Sequence, residues 1–205
     1  MDVSVIIISY NVKEFLQQAL LSLEKALQGI ESEIIIIDNA SVDGSKRIVK
    51  SEFPDIKLIE NEENVGFARA CNQGLEIAKG DYLLLLNPDT LLQEDTITTM
   101  IEFFEKHPDA GAAGCKILNA DGSLQKACRR SFPRPSVAIP KMLGLSRLFP
   151  RNKLFGKYNL TYKDPDELTE VDAVSGSFLM LKREVYERIG GLDEDFFMYG
   201  EDLDF

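Results

Sequence analysis

The apolar positions of the chain fall into two alternating patterns. Short continuous runs such as Val3–Ser9 and Leu83–Leu86 are bounded by polar residues, and runs of this length are typical of strands buried on both faces. Between such runs, apolar residues recur every three or four positions, as from Phe15 to Leu27, which predicts helices with one buried face. Strands that alternate with helices predict βαβ units, so we expect an α/β fold with a mostly parallel sheet.

The predicted strands cover residues 3–9, 33–37, 56–59, 81–87, 110–118, 124–128 and 171–181, and the last of them is interrupted by Ser175-Gly176-Ser177. Asp121 and Gly122 are a hairpin signal between the fifth and sixth of these strands, which would add an antiparallel pair and make the sheet mixed. Pro88 cannot donate to a sheet ladder, so the fourth strand should stop at Asn87. Residues 129–168 contain five prolines, and we expect them to be irregular.

Polar side chains follow three of the predicted strands at the point where each strand ends. They are Ser9-Tyr10-Asn11, Asp38-Asn39-Ala40-Ser41 and Asn87-Pro88-Asp89. Ligands of open α/β sheets bind at the carboxyl ends of the strands, so these clusters are candidate binding residues. Asn87-Pro88-Asp89 taken alone is more typical of a simple turn, because Asn, Pro and Asp are common turn residues.

The grouping of these clusters suits a nucleotide. An aromatic ring such as that of Tyr10 can stack on a base, and a carboxylate such as Asp38 can accept a hydrogen bond from a ring N–H. Asp89 is placed to hold Mg²⁺ or Mn²⁺, which favour oxygen ligands. The sequence contains neither G-x-G-x-x-G nor a P-loop motif, so a diphosphate would have to be neutralised by metal and basic side chains.

Composition narrows the class of protein. The 205 residues suit one domain, the net charge of −11 argues against nucleic acid as a partner, and no apolar run is long enough to span a bilayer. The N-terminus shows no signal peptide pattern. Cys71, Cys115 and Cys128 lack metal-ligand spacing and are interpreted as reduced thiols of a cytoplasmic protein. The single histidine, His107, lies in a predicted surface turn, so we do not expect histidine catalysis.

The charge is unevenly distributed. Residues 126–157 contain nine Lys or Arg and no acid, whereas residues 193–204 contain six acids and no base. On charge alone the acidic segment is interpreted as a solvated tail. The basic segment also carries apolar residues, and two interpretations stay open: it docks on an anionic membrane surface or a lipid-diphosphate acceptor, or it is a mobile loop over the active site.

Six short segments define a family likeness. They are residues 5–11 (VIIISYN), 37–45 (IDNASVDGS), 64–74 (NVGFARACNQG), 85–89 (LLNPD), 175–178 (SGSF) and 199–204 (YGEDLD). Each segment alone is a weak signal. The set in this order is highly specific, and it extends over nearly the whole chain. The sequence thereby resembles the inverting family 2 glycosyltransferases of the GT-A fold, and most closely their rhamnosyltransferase-like members, which build bacterial surface polysaccharides.

The resemblance implies how a nucleotide-sugar donor is held. Tyr10 would stack on its pyrimidine, and Asp38 would accept from the ring N–H. Asn87-Pro88-Asp89 would correspond to the family's D-x-D motif with Asn87 in place of the first aspartate, which leaves Asp89 as the metal ligand that we expect. The donor-binding residues predicted in this way are Ser9, Tyr10, Asn11, Asp38, Asn64, Asn87 and Asp89.

The resemblance also implies the catalytic groups. Glu201 and Asp202 would match the family's acidic base motif, with Asp202 as the base and Glu201 as its rival. The base would take the proton from an acceptor hydroxyl that attacks the anomeric carbon, and a single displacement would invert the configuration. Because family members continue past this motif, we expect the 205-residue chain to be a truncated form.

One catalytic domain over residues 1–205 is therefore expected, with a nucleotide-sugar-binding half (1–118) and an acceptor-side half (119–205). The implied reaction moves a sugar, with rhamnose as one option, from a UDP-sugar or dTDP-sugar to a saccharide or lipid-linked acceptor in surface polysaccharide synthesis, in the cytoplasm or at the inner face of the membrane. Two alternatives stay open. One is a nucleotidyltransferase of related fold, although Ser9-Tyr10-Asn11 lacks Gly and Arg; the other is a non-catalytic nucleotide-binding module.

Overall fold

Residues 1–205 are described by a computed structural model, and their backbone divides into two units. The first unit contains Met1–Ala113 and Gly176–Phe205, and the second contains Gly114–Ser175. The chain therefore leaves the first unit once and returns to it for the acidic segment. The division into functional halves at residue 118 stays a prediction.

The first unit is built on a six-stranded mixed sheet with the order β3-β2-β1-β4-β8-β5. The first four strands are parallel, β8 pairs antiparallel with β4, and β5 pairs antiparallel with β8. The strands are β1 (Val3–Ser9), β2 (Ser32–Asp38), β3 (Lys57–Glu60), β4 (Tyr82–Leu86), β5 (Ala112–Ala113) and β8 (Phe178–Lys182). The predicted α/β fold with a mixed, mostly parallel sheet is confirmed.

Helices flank this sheet. They are α1 (Lys13–Ala26), α2 (Ser45–Glu52), α3 (Phe67–Ile77), α4 (Thr96–Lys106), α7 (Arg183–Ile189) and α8 (Glu201–Asp204). Every residue of β1 is buried, as the continuous apolar run predicts for a central parallel strand. No helix combines the length and the apolar composition that a membrane crossing needs.

Helix α3 packs unusually close to the centre of the sheet. A Cβ on Gly74 would collide with the side chain of Ile6 in β1, so only glycine fits at this point of the helix. Ala70 and Cys71 are buried on the same helix. The small residues of this face therefore bring α3 against the sheet.

The strand order reverses between β1 and β4. The chain runs outward from β1 through β2 to β3 and then crosses back to place β4 on the other side of β1. Such a reversal is the switch point at which open α/β sheets bind ligands beyond the carboxyl ends of their strands. The predicted clusters after Ser9 and Leu86 flank this point.

Two predicted strands are largely absent. The expected strand 110–118 is reduced to β5, and the expected hairpin is reduced to a single bridge between Leu118 and Leu124. Lys126–Cys128 forms a 3-10 turn instead of a strand. The run Ala110–Gly114 contains only Ala and Gly, which are weak strand formers. The antiparallel strand beside β4 is β8, from a distant part of the sequence.

The second unit is more helical than predicted. It holds α5 (Pro135–Met142) and α6 (Leu145–Leu148), and a two-stranded sheet of β6 (Arg129–Arg130) and β7 (Ala173–Val174). The prediction that residues 129–168 are irregular is therefore wrong for both helices. Pro135 stands at the helix start, where its missing N–H costs nothing, so this proline begins a helix.

Candidate active site

Ser9 and Asp38 lie side by side at the carboxyl edge of the sheet. They are paired in the register of β1 and β2, and they are 0% and 1% exposed. The carbonyl of Ser9 accepts the N–H of Asn39 at 2.8 Å, which extends the pairing past the end of β2. The sequence placed both residues at strand ends, and the structure brings them together.

The buried Asp38 carboxylate has one satisfied and one unsatisfied oxygen. Its Oδ1 accepts the N–H of Ser41 at 2.8 Å, whereas Oδ2 is buried without a hydrogen-bond partner. The hydroxyl of Ser9 is also buried without a partner. Buried polar atoms are rarely left unpaired, so this edge offers an acceptor and a hydroxyl to a ligand or to ordered water.

The loop after β1 is held against the loop after β2. The N–H of Asn11 donates to Ser41 Oγ at 3.0 Å, and Asn11 Oδ1 accepts the N–H of Val42 at 2.8 Å. Asn11 and Ala40 both adopt positive φ, at 54° and 64°, a conformation that folds retain mainly at functional loops. Tyr10, which directly precedes Asn11, is 49% exposed, so its ring is open for stacking.

A network of side-chain amides continues this edge toward α3. Asn39 donates to Asn64 Oδ1 at 3.3 Å and to the carbonyl of Gly66 at 3.1 Å. Asn64 Oδ1 also accepts the N–H of Gly66 at 3.0 Å, and Asn61 donates to Asn39 Oδ1 at 2.8 Å. Asn64, which is predicted to bind the sugar donor, is therefore hydrogen-bonded to Asn39, the residue next to Asp38.

The third cluster follows β4 as expected. The strand ends at Leu86, and the N–H of Asn87 donates to the carbonyl of Ser177 at 3.1 Å. The Asn87 side chain donates to Ser177 Oγ at 3.3 Å. Asp89 is exposed and has no salt bridge, so its carboxylate is accessible to a cation.

The acidic segment ends in α8, beside the turn before β8. Asp202 accepts the N–H of Gly176 at Oδ2, over 3.1 Å, and is partly exposed. Glu201 is only 6% exposed. The pKa of the Cys71 thiol in α3 is raised well above its ordinary value, mainly because the thiol is buried. The charge of Glu201 raises this pKa further.

The donor set fits a divalent cation that is bound together with a substrate. No group of three or more His, Cys, Asp or Glu is arranged to hold a metal by itself. Mg²⁺ commonly takes one or two protein carboxylates and completes its shell with substrate phosphates and water. For a cation bound in this way, Asp89 would supply the carboxylate, and the side-chain oxygen of Asn87 would be a second hard donor two residues earlier in the chain.

Several residues that build the site have no individual role predicted from the sequence. They are Asn39, Ser41, Asn72, Gly176 and Ser177. All five lie within the six recognised segments, so membership of those segments was the signal that could have found them. Their contacts are with the backbone or with other polar side chains, which the sequence does not display.

The glycosyl transferase family 2 model matches residues 4–190, and the chain belongs to this family. It is 29% identical over 212 residues to N-acetylglucosaminyl-diphospho-decaprenol L-rhamnosyltransferase of Mycobacterium tuberculosis, with 98% of this chain and 67% of the relative covered. It is 31% identical over 198 residues to poly-beta-1,6-N-acetyl-D-glucosamine synthase of Staphylococcus epidermidis, covering 89% of this chain and 47% of the relative.

Solved structures show the same fold. The mannosyltransferase PcManGT from Pyrobaculum calidifontis, in complex with GDP-Man and Mn²⁺, superposes with a TM-score of 0.64 at 23% identity, over 94% of this chain and 48% of that one. Residues 1–349 of S. aureus TarS, in complex with UDP, give a TM-score of 0.66 at 19% identity, over 99% and 53%. The chain thus has the GT-A fold that the resemblance implied, and it spans about half the length of these proteins.

Proposed function

We propose that this chain is an inverting, metal-dependent glycosyltransferase, which moves a sugar from a nucleotide-diphosphate donor to an acceptor hydroxyl in bacterial surface glycan synthesis. The donor would bind beyond the carboxyl ends of β1, β2 and β4. The base would come from α8 at the end of the chain.

One observation carries this proposal: a chain of hydrogen bonds links the predicted metal motif to the predicted base. Asn87, two residues before Asp89, bonds Ser177, and the neighbouring Gly176 donates to the Asp202 carboxylate. Two segments more than a hundred residues apart in sequence are thereby held at one end of the same strand pair, β4 and β8. A transferase needs its leaving-group site and its base in such proximity.

In the proposed step, the Asp202 carboxylate takes the proton of the acceptor hydroxyl while that oxygen bonds to the anomeric carbon. The bond from this carbon to the diphosphate oxygen breaks, and the nucleotide diphosphate leaves with the electron pair. A divalent cation at Asp89 would supply Lewis-acid stabilisation of the leaving diphosphate. Partial exposure favours Asp202 over the buried Glu201 as the group that meets an acceptor.

The donor we propose carries a pyrimidine. The partnerless Oδ2 of Asp38 is an acceptor for a uracil or thymine N–H, and the open Tyr10 ring suits stacking. A UDP-sugar and a dTDP-sugar present the same N–H to Asp38, so both remain candidates. Rhamnose is proposed as the sugar because the mycobacterial relative is an L-rhamnosyltransferase.

The acceptor we propose is a saccharide, in particular a lipid-linked one, since the name of the mycobacterial relative specifies a diphospho-decaprenol acceptor. We infer a cytoplasmic location, with peripheral contact of residues 126–157 at the inner face of the membrane. The three cysteines are unpaired, which is usual in a reducing compartment.

Calorimetric titration with UDP, dTDP and CDP, each with and without Mn²⁺, tests the site. We expect UDP and dTDP to bind with Mn²⁺ present and CDP to bind more weakly, since the ring nitrogen N3 of cytosine carries no proton to donate to Asp38. Asp89→Ala should lose the Mn²⁺-dependent part of the affinity.

Asp95→Ala is the matched control, because Asp95 is an exposed carboxylate that precedes α4, outside the three clusters. It should bind UDP with Mn²⁺ as the wild type does. Binding that is indifferent to Mn²⁺, or equally reduced by both substitutions, would contradict the assignment of Asp89. A preference for CDP would contradict the role proposed for Asp38.

A further inference from the structure

The basic segment of the second unit contains many cations that the protein itself does not neutralise. Of its nine Lys and Arg side chains, six are exposed and form no salt bridge: Lys126, Arg134, Arg147, Arg151, Lys153 and Lys157. The other three make contacts inside the fold. Arg129 donates to the carbonyls of Lys163 and Asp164, Arg130 donates to that of Val174, and Lys141 lies 3.5 Å from the centroid of the Tyr158 ring.

Helix α5 exposes an apolar face to solvent. Val137 and Pro140 are buried, whereas Ile139, Met142 and Leu143, which share a face at three- and four-residue spacing, are 53%, 84% and 69% exposed. A surface helix of a soluble domain normally presents polar residues to water. Helix α5 is therefore apolar on its exposed face as well as on its buried face, and the exposed face calls for an apolar partner.

The apolar surface continues into α6 and the turn after it. Leu148, Phe149 and Leu154 are 72%, 49% and 60% exposed. Arg147, Arg151 and Lys153 alternate with them along the sequence. Gly144, at φ 73°, turns the chain between the two helices, so both belong to one short helical hairpin. We call the hairpin and its following turn, residues 139–154, the apolar-basic hairpin.

We propose that the apolar-basic hairpin docks the protein on the surface of an anionic lipid bilayer. Its exposed aliphatic and aromatic side chains would enter the boundary between headgroups and acyl chains, and its exposed cations would meet the lipid phosphates. Interfacial membrane binding rests on this combination of buried apolar area and attraction to anionic lipid. The absence of any acid between residues 126 and 157, in a chain of net charge −11, matches an anionic partner.

Co-sedimentation of the chain with vesicles tests the proposal. Vesicles of phosphatidylcholine with about 30% phosphatidylglycerol should bind the wild type, and vesicles of pure phosphatidylcholine should bind it far less. Added salt should weaken the binding to the anionic vesicles. Arg147→Gln/Arg151→Gln/Lys153→Gln should lower the partition coefficient about a hundredfold, at roughly fivefold for each cation near the surface. Met142→Ser/Leu143→Ser should lower it by about tenfold or more.

Two control variants match these changes on the first unit. Lys25→Gln/Arg47→Gln/Arg188→Gln removes three exposed cations, and Leu21→Ser/Ile189→Ser removes two exposed aliphatic side chains. Both should bind vesicles as the wild type does. Thermal unfolding of every variant establishes that it is folded, and the assay contains no nucleotide, so its outcome does not depend on the proposed transferase activity.

Three results would overturn the proposal. The first is a lack of binding to anionic vesicles by the wild type. The second is equal loss of binding in the hairpin variants and their first-unit controls. The third is concentration-dependent self-association without lipid that Met142→Ser/Leu143→Ser abolishes, because the hairpin would then be covered by a second copy of the chain.

Discussion

The side-chain amide of Asn72 holds the backbone of Leu192 at both of its polar groups. Asn72 Nδ2 donates to the Leu192 carbonyl and Asn72 Oδ1 accepts the Leu192 N–H, each over 2.8 Å. A Cβ on Gly191 would collide with this amide, so glycine leaves the room that the contact needs. Helix α3 thereby anchors the segment that leads to Glu201 and Asp202.

From this contact we predict that Asn72 is a positioning residue for the base. Asn72→Asp keeps the size of the side chain but replaces the donor with an oxygen opposite the Leu192 carbonyl. Donor hydrolysis should slow about tenfold or more, because a displacement of about 1 Å at a catalytic group is costly. Calorimetry should show UDP affinity close to that of the wild type.

Arg69→Ala is the control for this prediction. Arg69 reaches Glu194 in the same segment through a 3.9 Å ion pair between side chains that are 61% and 51% exposed, and such pairs contribute little. The Arg69→Ala variant should hydrolyse the donor at the rate of the wild type. A parallel loss of UDP affinity and rate in Asn72→Asp would argue against a positioning role.

Two buried serines of β1 should differ in how much they contribute to stability. Ser4 and Ser9 are both fully buried, but Ser4 Oγ donates to Glu33 and accepts the N–H groups of Lys79 and Gly80, whereas Ser9 Oγ has no partner. Ser4→Ala should lower the free energy of unfolding by about 1–3 kcal/mol, because it leaves buried groups unpaired. Ser9→Ala should change it by less than about 0.5 kcal/mol.

Urea unfolding of the ligand-free protein measures this difference. Equal losses in the two variants would mean that the Ser9 hydroxyl has a partner within the fold, and the argument that this edge is open to a ligand would fail.

Gly74 predicts an exception to helix propensity. Gly→Ala within a helix usually stabilises by about 1 kcal/mol. At this position the new methyl group would overlap Ile6, so we expect Gly74→Ala to lower the free energy of unfolding by about 1–3 kcal/mol. In an Ile6→Ala background the same change should be neutral or stabilising. Stabilisation by Gly74→Ala alone would contradict the close packing of α3 on β1.

Glu33 predicts an acid-sensitive contribution to stability. Burial raises the pKa of its carboxyl, but hydrogen bonds from Lys57, Ser4 and the N–H of Lys79 together hold the pKa below the ordinary 4.5. Because the folded pKa is the lower one, this stabilisation is fully present above pH 4.5 and is lost as the pH falls through the folded pKa.

Glu33→Gln should therefore destabilise the protein near neutral pH and reduce the further loss of stability between about pH 5 and 3. Urea unfolding across this range measures it. A variant whose acid dependence is as steep as that of the wild type would show that Glu33 does not contribute.

Local sequence patterns predicted the parallel half of the sheet well, because each buried strand there is a continuous apolar run that needs no distant partner to be recognised. The antiparallel neighbour of β4, strand β8, could not be assigned in this way. Phe178–Lys182 looks like any apolar strand, and its antiparallel pairing depends on contacts across the fold. Helix α5 was missed because Pro135 and Pro140 are breakers by propensity, although a proline at the first position starts a helix.

The candidate site shows the same division. Asp38 and Asp89 were predicted as site residues from the sequence, because polar residues that follow apolar runs mark the ends of strands at the edge of a sheet. The contacts that hold the site in place were not visible in the sequence. Ser41 bonds Asp38, Asn72 bonds Leu192 and Ser177 bonds Asn87 through backbone groups that only the fold brings together.

Release of nucleotide diphosphate from UDP-sugars and dTDP-sugars, with Mn²⁺ and compared between the wild type and Asp202→Asn, tests the central claim most directly. The wild type should release the nucleotide from at least one donor. Asp202→Asn should be slower by about a hundredfold or more, since general-base catalysis contributes on that scale, while its affinity for UDP is unchanged. An equal rate in Asp202→Asn, or no release from any donor by the wild type, would contradict the account.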